Sequence, residues 1–179
     1  MGPLTPGEVW VSVRARGTTD ANDRDQLHGL ASRAAGVSSL TLSRRCSHCG
    51  GDDHGAPSVD VLGLFVSLSR ASDTVAFAVS HAPVGIDIEN VRAVARRDLD
   101  LVAFTADERT RLASASQPDL LRSQLWAGKE AVVKLRGTGL RLDPGSFELA
   151  DVAEQLHPFD AGPGLVGVVA GVGRLAQVQ

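Results

Sequence analysis

The segment W-A-G-K-E-A-V-V-K, which runs from Trp126 to Lys134, decides how the rest of the chain is interpreted. It contains the only two lysines of the chain, Lys129 and Lys134, whereas the other 16 of the 18 cationic residues are arginines. Lysine binds phosphate as a compact point charge, so two lysines placed together in an arginine-rich chain indicate an anionic ligand at this segment.

Helical spacing divides this segment into two faces. At about 100° per residue, Trp126, Glu130 and Lys134 lie above one another on the face opposite an apolar stripe. The stripe comprises Leu121, Leu125, Gly128, Val132 and Leu135. The alternative is a solvated face with a weak Glu–Lys pair, but a tryptophan is unusual on a plain solvent-facing surface. We therefore predict a helix between the core and a functional cleft.

Upstream, V-G-I-D-I-E from Val84 to Glu89 alternates apolar and acidic residues. A strand with this alternation places Asp87 and Glu89 on one face, with their Cβ atoms roughly 7 Å apart. Alone, the pattern also fits an edge strand with a solvated acidic face. Together with Glu130 it provides three carboxylates, and Mg²⁺ prefers oxygen ligands that leave room for water and substrate phosphates.

Composition narrows the class of protein. A chain of 179 residues can form one substantial core or two small lobes, and contents of 43% apolar and 22% charged residues are ordinary for a globular protein. No apolar run approaches the ~20 residues that span a bilayer, and the N-terminus lacks signal-peptide features. We therefore expect a cytoplasmic protein with no membrane partner. The net charge of −3 argues against nucleic acid.

The chain also alternates between strand and helix patterns. Strands are predicted at residues 9–13, 39–44, 59–68, 74–80, 84–89, 145–150 and 165–172. Helices are predicted at residues 23–35, 93–103 and 105–115, and from Pro118 to the glycines at 137 and 139. The pattern indicates an α+β fold whose two halves, each a helix on short strands, join near residues 80–92.

A glycine-rich loop carries the two cysteines, Cys46 and Cys49, with His48 and His54 nearby. A structural zinc ion needs four ligands at recognisable spacing, and the second ligand pair is missing here. We favour a polar loop over a zinc site or a disulfide.

Three motifs together resemble one family. G-I-D-I-E at Gly85–Glu89, followed by W-A-G-K-E-A-V-V-K, resembles the 4′-phosphopantetheinyl transferases of the surfactin-synthetase-activating type. F-T-A-D-E at Phe104–Glu108 is similar to the F-x-x-x-E of that family, and the C-x-x-C-G…H-G-x-P loop resembles its upstream segment.

The resemblance implies two similar helix-on-sheet lobes, at residues 1–82 and 83–179, with the active site at their interface. It implies a monomer that binds coenzyme A and Mg²⁺, with Mn²⁺ as a possible substitute. The enzyme would transfer the phosphopantetheine arm to a serine of an apo acyl- or peptidyl-carrier protein, releasing adenosine 3′,5′-bisphosphate. The pathway served is left open. A different Mg²⁺-dependent diphosphate hydrolase and a non-catalytic binder of carrier protein or coenzyme A are the alternatives.

The resemblance also assigns roles at the centre of the site. Asp87, Glu89 and Glu130 would be the metal ligands. Glu130 would also act as the catalytic base for the incoming serine. Lys134, with Lys129 beside it, would contact the diphosphate and stabilise the transferred phosphoryl group.

Further contacts to coenzyme A are implied at Ser69, at His54 and Gly55, and at Arg70 and Arg45. Two of these places depart from the family pattern: Ser69-Arg70-Ala71 stands where Ser-His-Ser is usual, and Ala56 stands where a cation is usual. Arg70 can still pair with phosphate. The cation missing at Ala56 predicts weaker binding, or compensation by Arg45 or Arg33.

Overall fold

The computed structural model describes residues 2–44, 49–52 and 55–179. The strands in these ranges are β1 (Glu8–Ala15), β2 (Leu42–Arg44), β3 (Pro57–Val59), β4 (Phe65–Ala71), β5 (Thr74–Ser80), β6 (Val84–Asn90), β7 (Leu156–Phe159), β8 (Leu165–Gly171) and β9 (Arg174–Gln177). The α-helices are α1 (Asp20–Ala35), α2 (Val91–Val94), α3 (Asp100–Ala103), α4 (Ala106–Ser114) and α5 (Pro118–Arg136). Short 3₁₀ turns occupy Gly139–Arg141, Pro144–Ser146 and Leu149–Gln155. The predicted α+β class is confirmed.

One sheet has the strand order β4-β5-β1-β9, and α1 packs on one of its faces. Thr19 begins α1 with a capping box that it shares with Asn22. The helix ends at Gly36, whose φ of 69° is the left-handed conformation that glycine adopts most readily. Buried leucines at positions 27 and 30 face Phe77 and Trp10 of the sheet, and this contact forms the first core.

A second, antiparallel sheet has the strand order β6-β8-β7 and carries α5 on one face. The helix backbone lies directly against β6, because a Cβ atom at Gly85 would collide with the carbonyl oxygen of Ala131 and the amide of Leu135. This close approach brings the side chains of α5 beside those of β6.

The two sheets share a third core. Val9, Val11, Ala76 and Ala78 of the first sheet cluster with Val84, Ile86, Ile88 and Val169 of the second. After β8 the chain returns to the first sheet, where β9 pairs in parallel with β1. The division at residues 82 and 83 stays a prediction, and β9 crosses it.

Three predicted elements differ from the structure. The strand predicted at residues 59–68 is divided between β3, which ends at Val59, and β4, which begins at Phe65. The helix predicted at residues 93–103 is interrupted. Asn90 caps the short α2. The next helix, α3, begins at Asp100, whose carboxylate accepts two hydrogen bonds from Arg122 of α5. The strand predicted at residues 145–150 is instead a pair of 3₁₀ turns, whose carbonyl groups at Pro144 and Phe147 accept hydrogen bonds from a buried lysine of α5. The strands β7 and β9 were not predicted, and β3 was not predicted as a separate strand.

Among the described residues, no helix combines the length and the apolar character that crossing a membrane requires.

Candidate functional site

Asp87 lies at the centre of a polar site where β4, β6 and α5 meet. Its side chain is buried, and its Oδ1 atom accepts hydrogen bonds at 2.7 Å from Ser69 Oγ and at 2.7 Å from Lys134 Nζ. Lys134 Nζ also donates to the carbonyl oxygen of Ile86 at 3.0 Å. The Oδ2 atom of Asp87 is buried and has no hydrogen-bond partner among the described residues. The structure therefore brings together three predicted site residues from three elements.

Glu89 follows Asp87 on the same strand face, and two donors hold it. Its Oε1 atom accepts a hydrogen bond from Trp126 Nε1 at 2.7 Å and another from Arg97 Nη1 at 3.3 Å. Trp126 thus lies in the site, as the helical spacing predicted, and it restrains a carboxylate rather than facing solvent.

Glu130 lies one turn before Lys134 on α5 and completes the set of three carboxylates. Burial raises the pKa of Asp87, although the charge of Lys134 opposes this increase. Burial likewise raises the pKa values of Glu89 and Glu130, and repulsion from Asp87 raises both further. Three partly desolvated carboxylates that repel one another form an environment that favours a cation.

The fit of a divalent cation can be tested on these side chains. Among the described residues, no group of three His, Cys, Asp or Glu side chains is already arranged around a common point. Lys134 is paired with one oxygen of Asp87, and Glu89 is held by Trp126 and Arg97. The donor chemistry nevertheless fits Mg²⁺, because all three candidates offer oxygen ligands and Asp87 Oδ2 has no partner in the described part of the chain.

Lys129, predicted to contact the diphosphate, has protein partners in this structure. The Lys129 side chain is fully buried and forms an ion pair with Glu108 Oε2 at 2.8 Å. Its other acceptors are the carbonyl oxygens of Pro144 at 2.6 Å and Phe147 at 2.7 Å. An ammonium group has three N–H donors, and these oxygens account for all of them. Lys129 therefore joins α5 to α4 and the 3₁₀ turns.

Arg70 lies on the other face of β4, because successive strand residues point to opposite sides. Its Nε atom donates to Asp23 Oδ2 of α1 at 2.5 Å. Its Nη2 atom is buried and has no acceptor among the described residues. The guanidinium that stands where the family usually has a histidine is therefore anchored at Nε, and its Nη2 donor has no acceptor in the described part of the chain.

Two further arginines were not singled out in the sequence. Arg44 on β2 is half-buried, and burial lowers its pKa, as do the nearby charges of Arg24 and Arg70. Arg24 and Arg44 line an open pocket of about 480 Å³ together with Leu42, Ser43 and Asp52. Nothing in the spacing of these arginines predicts the cluster, because they come from α1, β2 and β4.

The described end of the glycine-rich loop pairs with this cluster. Pro57, which follows Gly55 and Ala56, pairs with Arg44 across β2 and β3. Arg45, Cys46, His48 and His54 lie outside the described residues, so their predicted roles stay predictions. Arg33 donates to the carbonyl oxygen of Gln179.

Comparisons with known proteins match this part of the chain. Residues 83–159 match the model of the 4′-phosphopantetheinyl transferase superfamily. The chain is 38% identical over 101 residues to the 4′-phosphopantetheinyl transferase psf-1 of Bacillus pumilus, a match covering 54% of this chain and 42% of that protein. It is 31% identical over 100 residues to the 4′-phosphopantetheinyl transferase gsp of Aneurinibacillus migulanus, covering 54% and 40% respectively. The matches thus span about two fifths of each relative, and they confirm the resemblance predicted from the motifs.

Proposed function

We propose, on the premise that residues 83–159 match the 4′-phosphopantetheinyl transferase superfamily, that this protein transfers the phosphopantetheine arm of coenzyme A to a serine of an apo carrier protein. The observation that carries the proposal is the contact of Ser69 and Lys134 with one oxygen of the buried Asp87. It joins β4, β6 and α5 in a site that also holds Glu89 and Glu130.

Asp87, Glu89 and Glu130 would hold Mg²⁺ or Mn²⁺ in this proposal. The bound ion would neutralise negative charge on the diphosphate of coenzyme A. A cation among these side chains would also relieve the mutual repulsion that raises the pKa values of Glu89 and Glu130. Ser69 and Trp126 would restrain the first two ligands through the hydrogen bonds that they already donate.

The transfer itself requires a base and a stabilising charge. The serine oxygen of the carrier protein attacks the phosphorus next to the pantetheine, and the bond to adenosine 3′,5′-bisphosphate breaks. Glu130, one turn before Lys134 on α5, would accept the proton of the serine hydroxyl as the general base. Lys134, which is 29% exposed, stabilises the charge on the transferred phosphoryl group.

Coenzyme A would extend from this centre to the first sheet. Ser69 and Arg70 are adjacent on β4 and point to opposite faces, so the strand joins the carboxylate site to the arginine cluster. Arg70, with Arg24 and Arg44 beside it, would bind phosphate oxygens. Gly55, two residues before the Pro57 that pairs with Arg44, would contribute backbone contacts.

The test is the mass of an apo carrier protein after incubation with coenzyme A and Mg²⁺. We expect a gain equal to one phosphopantetheine, lost when Mg²⁺ is chelated and lost in Asp87→Ala. Asp151→Ala removes an exposed carboxylate and serves as the matched control. Breakdown of coenzyme A without a gain in mass would instead indicate the hydrolase, and binding without any reaction would indicate the non-catalytic relative.

A further inference from the structure

We infer that Asp23 is a positioning residue, which holds Arg70 so that its free N–H groups face a phosphomonoester of coenzyme A. The inference rests on the proposed function and concerns a place where this chain departs from its family. The Asp23 side chain is completely buried, and it lies on α1, 47 positions from its partner in sequence.

Asp23 itself is firmly held. Its Oδ1 atom accepts a hydrogen bond from the backbone amide of Gly17 at 2.8 Å, and its Oδ2 atom accepts from Arg70 Nε at 2.5 Å. Arg16 Nε lies 3.7 Å from the same oxygen. Burial alone would raise the pKa of Asp23, but the hydrogen bonds from Arg70 and Gly17 outweigh it and lower the pKa, so Asp23 is a carboxylate at neutral pH.

This contact uses only one edge of the Arg70 guanidinium. The group has five N–H donors in a rigid plane, so an acceptor at Nε fixes the direction of the others. Nη2 is buried, and no acceptor among the described residues reaches it. A buried donor without an acceptor is unfavourable, which points to a ligand atom at this position.

The surrounding charges select the type of ligand. The charges of Arg24 and Arg70 both act on Arg44. Besides Asp23, the nearby carboxylates are Asp20, 3.6 Å from Arg70 Nε, and Asp52, which lines the pocket with Arg24 and Arg44. A phosphomonoester carries a charge of about −1.5 to −2 at pH 7 and three acceptor oxygens. The charge and the three acceptor oxygens of a phosphomonoester match three guanidinium groups better than a single oxygen of the diphosphate does. Coenzyme A carries such a group on its ribose, apart from the diphosphate assigned to Lys134.

The experiment compares coenzyme A with dephospho-coenzyme A, which lacks the phosphomonoester, by calorimetric titration of the whole protein. For Asp23→Asn we expect affinity for coenzyme A to fall about tenfold, the loss of one charge-assisted contact. Affinity for dephospho-coenzyme A should stay within about twofold, because a positioning role leaves the remaining contacts intact. Asp25→Asn, an exposed residue of the same helix with the same change in charge, should alter neither affinity.

A double-mutant cycle separates positioning from a structural effect. In an Arg70→Gln background, Asp23→Asn should cause no further loss of affinity, because the group that it positions is gone. The double variant replaces the ion pair with two amides, so it remains informative if Asp23→Asn alone unfolds. Additive losses, or an equal loss for both ligands, would overturn the inference. If the wild-type protein transfers the arm but Asp23→Asn binds both ligands normally, the inference is overturned and the proposed function stands.

Discussion

The two lysines of α5 lie five positions apart and have opposite environments. Lys129 is fully buried against Glu108, whereas Lys134 is 29% exposed beside Asp87. We expect Lys129→Met to lower the free energy of unfolding by about 3–5 kcal/mol, because it leaves the Glu108 carboxylate buried without its partner. Denaturant unfolding followed by circular dichroism measures this loss.

Lys134→Met should lower the rate of transfer more than the stability of the fold. Asp87 keeps the hydrogen bond from Ser69, so the loss of stability should be smaller than in Lys129→Met. The rate of transfer should fall by about 10²–10³, the usual effect of removing one group that stabilises charge in the transition state. If Lys129→Met were folded normally and Lys134→Met retained its rate, both assignments would be wrong.

Sequence patterns identified only part of this chemistry. Period two in β6 and the i, i+4 spacing of Trp126, Glu130 and Lys134 are local regularities, so the residues that they pair could be named in advance. The partner of Lys129 is Glu108 on a different helix. The contact of Arg70 with Asp23 joins a strand to a helix 47 positions away. No spacing rule covers such contacts, because packing of separate elements creates them.

At the scale of elements, the contact between β6 and α5 depends on Gly85. A methyl group there would collide with the helix backbone at Ala131 and Leu135. We expect Gly85→Ala to destabilise the protein by about 1–3 kcal/mol or more through overpacking. It should also lower transfer, because α5 carries Glu130 and Lys134 and would be displaced from Asp87.

Gly29→Ala is the matched control for this change. Nothing lies within 4 Å of a Cβ built at Gly29, which is a helical position in α1. Alanine there should stabilise the protein by about 0.5–1 kcal/mol through helix propensity alone. Equal behaviour of the two variants in thermal unfolding would contradict the close approach of β6 to α5.

A charge pair attaches α3 to α5. Arg122 donates from Nε and Nη2 to the two oxygens of Asp100 at 2.7 and 3.0 Å. The hydrogen bonds from Arg122 lower the pKa of Asp100 in the folded protein. The pair therefore stabilises the fold fully above the pKa of the unfolded chain, about 3.9. This stabilisation is lost as the pH falls from that value through the lower folded pKa.

Asp100→Asn should therefore cost stability at pH 7. Since the Asp100 side chain is 38% exposed, the effect should be about 0.2–1 kcal/mol. The difference from wild type should narrow as pH falls below about 4, where Asp100 of the unfolded chain begins to bind a proton while the folded carboxylate, with its lowered pKa, remains ionised. A difference in unfolding free energy that is independent of pH would show that the ion pair is not its cause.

The element boundaries were predictable where a cap marked them. Thr105 forms a capping box and Gly36 and Gly137 end helices in the left-handed conformation, as the sequence indicated. The capping box at Thr19 was not predicted, and the start of α1 was therefore placed three residues too late. The break between α2 and α3 has no such mark, because it depends on the distant Arg122. The 3₁₀ turns near Phe147 resemble a strand in sequence, since Phe147 and Leu149 alternate with polar residues while packing against the second core.

For the molecule as a whole, the shared core and the return of β9 argue that the two halves unfold together. Residues of both sheets form one buried cluster, and β9, from the end of the chain, pairs with β1 from its beginning. Autonomous lobes at residues 1–82 and 83–179 would separate this cluster and leave β1 without β9. We expect a single cooperative transition.

The two tryptophans make this prediction measurable. Trp10 belongs to the first core and Trp126 packs against the second, so Trp126→Phe and Trp10→Phe each leave one fluorescent reporter in one half. In each variant the denaturation midpoint from fluorescence should coincide with the midpoint from far-ultraviolet circular dichroism. Comparing probes within one variant removes any shift in stability that the substitution itself causes. Separate midpoints, with Trp10 and Trp126 reporting different transitions, would show that each half folds independently and that the β1–β9 pairing does not couple them.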